Sequence, residues 1–394
     1  MNILLILISI VFTFFLPMIS VFINFANYII FKKNRKIYAL LTAISLGLIA
    51  YTWEPAVSYD LYRWQQEIRL FSYSNFSSVI QRISTDLEPL NYIIKFFISK
   101  TGNFDLVQLV ISTVGYFEIL WIIADYAKNK KINILNFTVG VVFILSSLKY
   151  VDFISGLWFN FAIINFALGL YLNYTKQTKK THWIFYIIAI ATHISTIYIL
   201  LLLIISKMIE IKNYKKAVFF TFLISLWLGV ILNYLDSHLN IFLINYISKL
   251  YITYFINGSQ FNYLHSGANL IYAIIRLAII IIVLYSEKGE LKNKNSKLIA
   301  IIALTCSSTI AILFHAKVYI RFIFFIQLMT LPMFFDFLSR KVTYMKTIVI
   351  SCIAIFSFFL FKIQYNQMKS AKLLECINYN LLNPIYKLEN GYSE

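Results

Sequence analysis

One histidine lies inside an apolar stretch, in "ATHISTIYILLL", with a serine two residues on and a threonine after that. His193 is costly there unless it is hydrogen-bonded, and Ser195 and Thr196 are the nearest partners. A histidine near neutral pKa is also a natural general base. A second costly residue is Arg276, central in "ANLIYAIIRLAIIIIVLY" (268–285). An arginine at mid-membrane costs roughly 2.5–3.5 kcal/mol on insertion scales. Two arrangements would hold it there. It can pair with Glu118, near the middle of "LVISTVGYFEILWIIADY", or it can form the floor of a cavity that binds an anion.

Further groups cluster near the ends of apolar runs. His315, Lys317 and Arg321 fall within seven residues in "HAKVYIRFIFFIQ", and 317 and 321 share a helix face. They either snorkel to headgroups or form a phosphate site, to which arginine brings a planar fork of donors and lysine a point charge. The segment 57–104 supplies Asp60, Arg63, Glu67, Arg69, Arg82, Asp86 and Glu88. Asp60 and Arg63 are three residues apart and can meet on a helix as an ordinary surface pair. The rings around Asp60 in "VSYDLYRW" also suit a sugar-binding cleft, with Asp60 as a candidate base.

The elements that must position these groups are apolar helices. The chain of 394 residues is 60% hydrophobic and only 13% charged, about half the charged fraction of a soluble domain. Runs of about 20 apolar residues recur throughout. The expectation is an all-α, polytopic integral membrane protein forming a single domain over 1–394. Net charge is +18. The basic residues concentrate in short loops ("KKNRK", "KNKK", "KQTKK", 207–216, 288–297 and 340–346). That is the positive-inside signature rather than a nucleic-acid footprint. With those loops cytoplasmic, about ten helices cross, near 3–31, 37–56, 105–127, 132–150, 153–174, 217–235, 267–286, 297–314, 319–338 and 345–362. The first is expected as a retained helix with its N-terminus outside, not a signal peptide.

Two segments break the alternation. "PLNYIIKFFISK" (89–100) is too short to cross and reads as an interfacial or re-entrant helix. The stretch 181–206 has basic flanks on both sides, so it reads as a hairpin that turns near His193, with a single crossing as the alternative. The outer face then carries 57–104, 236–266 and the tail 363–394. Cys306, Cys352 and Cys376 form no disulfide or metal pattern, and no glycine-rich phosphate loop, HExxH or CxxC motif is present.

In order, these features resemble the EpsG-like branch of the Wzy-type bacterial polysaccharide polymerases. The resemblance runs through "SYDLY" (Asp60, Tyr62), "LEPLNYII" (Glu88, Pro89), "THIST" (His193, Ser195) and "VYIRFIFF" (Tyr319, Arg321). It departs in "GLWFNFAIINFALGLYL", where Trp158 stands at the family's arginine position, with Arg276 or Lys149 as the alternative source of that charge. The resemblance implies a helical architecture like that of the lipid-dependent (GT-C) glycosyltransferases, in the bacterial cytoplasmic membrane with the site toward the outer face. It implies that undecaprenyl-pyrophosphate-linked repeat units are joined into a surface polysaccharide, with no nucleotide and no obligatory metal. Its implied partners are the lipid-linked glycan, the bilayer and a chain-length regulator protein. On that reading Asp60, His193, Arg276 and Arg321 carry the chemistry, and Tyr62, Arg63, Glu88, Trp158, Lys317 and Tyr319 bind substrate. Two rival readings are a glycosyltransferase using a polyprenyl-phosphate sugar and a flippase for the same lipid.

Overall fold

A computed structural model describes residues 2–129, 132–146, 148–175, 180–208, 214–239, 267–286, 296–311, 318–340 and 344–373, with Asn245, Ser248 and Lys249 between them. Among the described residues the regular structure is entirely helical. Lys317, most of the segment 236–266 and the tail beyond 373 lie outside them. The chain forms two compact units, one of 1–197 with 338–394 and one of 198–337. The division falls in the first turn of a helix, with no shift in composition to mark it.

The first unit opens with a correction. The run 3–31 is not one helix. It is α1 (Asn2–Phe15) and α2 (Pro17–Ile30), broken at Leu16. Pro17 has no N–H to donate, and it drives Leu16 out of the helical region to φ −137°, ψ 62°. The two arms fold back on each other. Asn24 donates through Nδ2 to Thr13 Oγ1 at 2.9 Å and to Ser20 Oγ at 2.6 Å. Eleven residues of straight helix would hold Asn24 and Thr13 about 16 Å apart. Each 14-residue arm is about 21 Å long, short of a 30 Å hydrocarbon core. Ser9, Thr13, Ser20 and Asn24 are buried between the arms, while Leu4, Val11 and Phe22 face outward.

Next come α3 (Arg35–Thr52), α4 (Asp60–Ser72), α5 (Phe76–Thr85), α6 (Pro89–Ser99) and α7 (Leu106–Asn129). Helices α3 and α7 approach closely at Gly47, where an added Cβ would sit 2.9 Å from the Leu109 carbonyl. One expected crossing and the expected hairpin are each divided in two. The run 132–150 gives α8 (Ile134–Leu145) and then α9 (Tyr150–Ser155), and Gly156 separates α9 from α10 (Leu157–Thr175). The run 181–206 breaks at His193–Ser195 into α11 (His182–Thr192) and α12 (Thr196–Met208). The expected turn near His193 is therefore a helix break, with His193 in extended backbone at φ −152°, ψ 114°.

Helices α10 and α11 pack along Gly169, where a Cβ would meet the Tyr186 ring at 2.7 Å and the His182 carbonyl at 3.0 Å. The second unit holds α13 (Tyr214–Leu239), α14 (Gly267–Ser286), α15 (Ser296–Ala311) and most of α16 (Val318–Ser339). There Ser307 donates to the Val218 carbonyl at 2.7 Å, and Tyr198 bonds both Ser225 and Ser308. The last helix, α17 (Tyr344–Ser370), returns to the first unit and exposes Ile355, Phe358 and Phe361.

Among the described residues four helices are long and apolar enough to cross a membrane: 106–128, 157–174, 322–339 and 344–370. A fifth is reached if α13, bent by 65° at Gly229, is one span. Among the described residues seven further apolar helical stretches of 10–17 residues accompany them. The protein is thus a helical membrane protein by length and composition. Of the expected crossings, 3–31 is interrupted at Leu16 and 132–150 at 146–149.

Candidate active site

The first unit brings together groups that are far apart in sequence. Helix α6 supplies the stage. Its buried residues include Asn91, Lys95 and Ser99, each four after the last, while Phe97 is exposed. Its polar stripe faces protein and an apolar residue faces out, the inverse of a soluble amphipathic helix. Pro89 fits at the first helical position because its missing N–H would have no partner there. Glu88 stands at the N-cap, yet its carboxylate caps no backbone N–H of α6.

That carboxylate turns instead toward the break between α11 and α12. Glu88 Oε1 lies 3.5 Å from His193 Nδ1 and accepts from the Ile194 N–H at 3.4 Å. Asn91 Nδ2 donates to Glu88 Oε2 at 3.0 Å. Burial pushes the Glu88 carboxyl above its ordinary range, only partly offset by Asn91, Ile194 and Lys95. Ser195 Oγ lies 2.9 Å from the same His193 Nδ1, and Phe159 meets the imidazole edge to face at 5.1 Å. When the ring is neutral with its proton on Nδ1, that N–H has Glu88 Oε1 and Ser195 Oγ as acceptors and Nε2 is unprotonated; in the other tautomer Ser195 donates to Nδ1. When the ring is protonated, Nδ1–H has Glu88 and Ser195 Oγ as acceptors. A carboxylate and a hydroxyl at one ring nitrogen give His193 Nδ1 a partner in either protonation state.

A second cluster adjoins the first through α6. Lys95 Nζ lies 2.5 Å from Glu67 Oε2 of α4, and 5.5–6.0 Å from the ring centroids of Trp64, Tyr92 and Trp158. Trp64 and Trp158 meet edge to face at 6.2 Å. Burial lowers the Lys95 pKa, and Glu67 opposes that shift. Tyr92 donates to Asp86, while Lys100 Nζ donates to the carbonyls of Ser72 and Ser74 at 2.9 and 2.8 Å. Lys100 thereby closes the C-terminal end of α4 and ties it to α6.

The sequence candidates separate accordingly. Glu88 and His193 come into contact across 105 residues, and Trp158 joins them through Phe159 and Lys95. Asp60 and Arg63 pair with each other on the exposed face of α4, with side chains 37% and 70% exposed. Tyr62 is half-buried on the same helix. Lys149 lies 3.6 Å from Asp152. Glu118 in the first unit and Arg276 in the second are both buried. Lys317 and the side chains of Tyr319 and Arg321 lie outside the described part of the structure. Among the described residues no group of three or more His, Cys, Asp or Glu side chains could hold a metal ion.

Two members went unread in the sequence, Lys95 and Asn91, and Glu67 was read only as one of the charges of 57–104. Lys95 stands where a charge was sought beside Trp158. Its signal was the 4-residue polar stripe within an apolar helix, which needs a polar interior to face. Comparison with family models, with curated proteins and with solved structures finds no match to this chain.

Proposed function

We propose that this chain is a membrane glycosyl transferase of the polymerase type. It would join lipid-diphosphate-linked oligosaccharide units at the outer face of a bacterial cytoplasmic membrane, within a polytopic helical architecture of the lipid-dependent glycosyltransferase kind. The observation that carries the reading is the contact of Glu88 with His193, next to a box of indole and phenol rings. In this reading His193 Nε2 takes the proton of the acceptor sugar's hydroxyl as that oxygen attacks the anomeric carbon. The bond from that carbon to the diphosphate breaks, and its electron pair leaves on the lipid diphosphate. Glu88 is a positioning residue: it holds the ring and stabilises the imidazolium through Nδ1. The leaving group is already good, so catalysis needs mainly a placed base and a cation at the developing charge. The order of "SYDLY", "LEPLNYII", "THIST" and "VYIRFIFF" along the chain supports the same reading.

Deletion of the gene followed by electrophoresis of the surface polysaccharide tests it. Loss of all products longer than one repeat is expected, and unchanged chain length would reject the reading. A product that lacks one branch sugar at full length would favour the single-sugar transferase instead.

A further inference from the structure

The Lys95 cluster has no role in the proton transfer just described. Its two charges are unequally placed: the Lys95 side chain is 3% exposed and the Glu67 side chain 41%. An ammonium at that depth needs an anion, since an uncompensated buried charge is costly. The faces of Trp64, Tyr92 and Trp158 attract it without neutralising it. Lys95 is fixed on a packed helix, whereas Glu67 can return to water by rotating its own side chain. The pair is therefore asymmetric: a buried, fixed cation with an exchangeable anion. Two polar atoms in the same cluster also want partners. Trp158 Nε1 is a buried donor with no acceptor, and Asn91 Oδ1 is a buried acceptor with no donor. A ligand bearing phosphate oxygens and sugar hydroxyls offers both.

We propose that Lys95 is the anchor for the diphosphate of a glycosyl diphosphate, and that the Glu67 carboxylate occupies this anchor until the ligand displaces it. The identity of the ligand as a lipid-linked glycosyl diphosphate rests on the function proposed above; the exchange itself rests only on the geometry. No bond is made or broken in the exchange. A carboxylate leaves the ammonium and a phosphate oxygen replaces it. Glu67 then serves as a selectivity filter, because only an anion that outcompetes a tethered carboxylate gains the site.

The test uses the full-length chain in detergent, with thermal unfolding and equilibrium binding followed in three parallel titrations. The probes are inorganic pyrophosphate, a short-chain prenyl diphosphate and phosphatidylglycerol. Both diphosphates are expected to bind and raise the unfolding temperature, and phosphatidylglycerol is not. Glu67→Gln is expected to bind pyrophosphate at least tenfold more tightly than the unaltered chain, because the competing carboxylate is gone. Pyrophosphate should also restore stability that Glu67→Gln loses. The double variant Lys95→Met/Glu67→Gln, which leaves no buried charge, should fold and bind no pyrophosphate. Should Glu67→Gln not fold, Glu67→Asp carries the same comparison with a smaller gain. Equal pyrophosphate affinity in the Glu67 variant and the unaltered chain would overturn the proposal. So would retained binding in the double variant, or phosphatidylglycerol binding as tightly as the diphosphates. Normal polymer with no Lys95-dependent pyrophosphate binding sinks the inference and leaves the function standing. Lys95-dependent binding with no polymer does the reverse.

Discussion

Replacing Glu88 by Gln separates a working carboxylate from a structural one, because the two roles predict opposite effects on stability. Gln keeps the size: its Oε1 can accept from Ile194 while its Nε2 donates to Asn91, whose amide turns to present Oδ1. What it removes is the negative charge 3.5 Å from His193 Nδ1. With an effective dielectric constant of about 20, that charge attracts an imidazolium by about 5 kcal/mol at most. A loss of transition-state stabilisation of that order bounds the rate decrease at a few times 10³-fold, so a fall of about 10²- to 10³-fold is expected. Stability should move the other way. Burial raises the Glu88 pKa, so between the ordinary carboxylate value and the raised one the folded protein binds more protons than the unfolded chain. Stability then falls as pH rises through that window. The Gln variant lacks this fall and should be at least as stable as the unaltered protein at neutral pH. The assay pairs chain-length analysis of the polysaccharide in a complemented deletion strain with thermal unfolding of the purified protein across pH. Activity and stability lost together would make Glu88 a structural residue, and full activity would remove it from the mechanism.

Gly169→Ala should push α11 away from α10, since the new Cβ meets the Tyr186 ring and the His182 carbonyl. A cost of about 1–3 kcal/mol in thermal unfolding is expected, together with a drop in activity from displacement of His193 at the end of α11. Asp60→Asn should change stability by less than about 0.5 kcal/mol, because its pair with Arg63 is exposed. Polymer length in that variant should be normal, and a shortened or absent ladder would return Asp60 to the site. Asn24→Leu removes hydrogen bonds to Thr13 and Ser20. It should cost about 1 kcal/mol in unfolding experiments, with crosslinking between α1 and α2 showing whether the hairpin loosens; an unchanged melting temperature would argue against the pairing of the two arms.

The sequence made the class of protein legible, because apolar runs and basic loops obey a strong one-dimensional rule. It made helix continuity much less legible. The run 3–31 reads as one span by hydropathy, yet Pro17 and the Ser9, Thr13, Ser20 and Asn24 set divide it, and only side-chain pairing in space shows that the arms meet. His193 was legible as a costly residue at a break. Its partner Glu88 was legible as a candidate, but the contact between them spans 105 residues and depends on how α6 meets α11. Lys95 was hidden for a different reason. In a short apolar helix a lysine looks like a snorkelling residue, and only burial of the whole stripe Asn91–Lys95–Ser99 shows that it points into protein. Asp60 and Arg63 were legible as a pair from their spacing of three residues, and they form that pair on the exposed face of α4.

The most direct measurement is reconstitution of the purified chain in vesicles with a lipid-diphosphate-linked oligosaccharide, with products resolved by electrophoresis. The account predicts a ladder of repeat lengths from the unaltered chain and none from a folded His193→Ala protein. A ladder of equal intensity from His193→Ala, or no product beyond one unit from the unaltered chain, would contradict it.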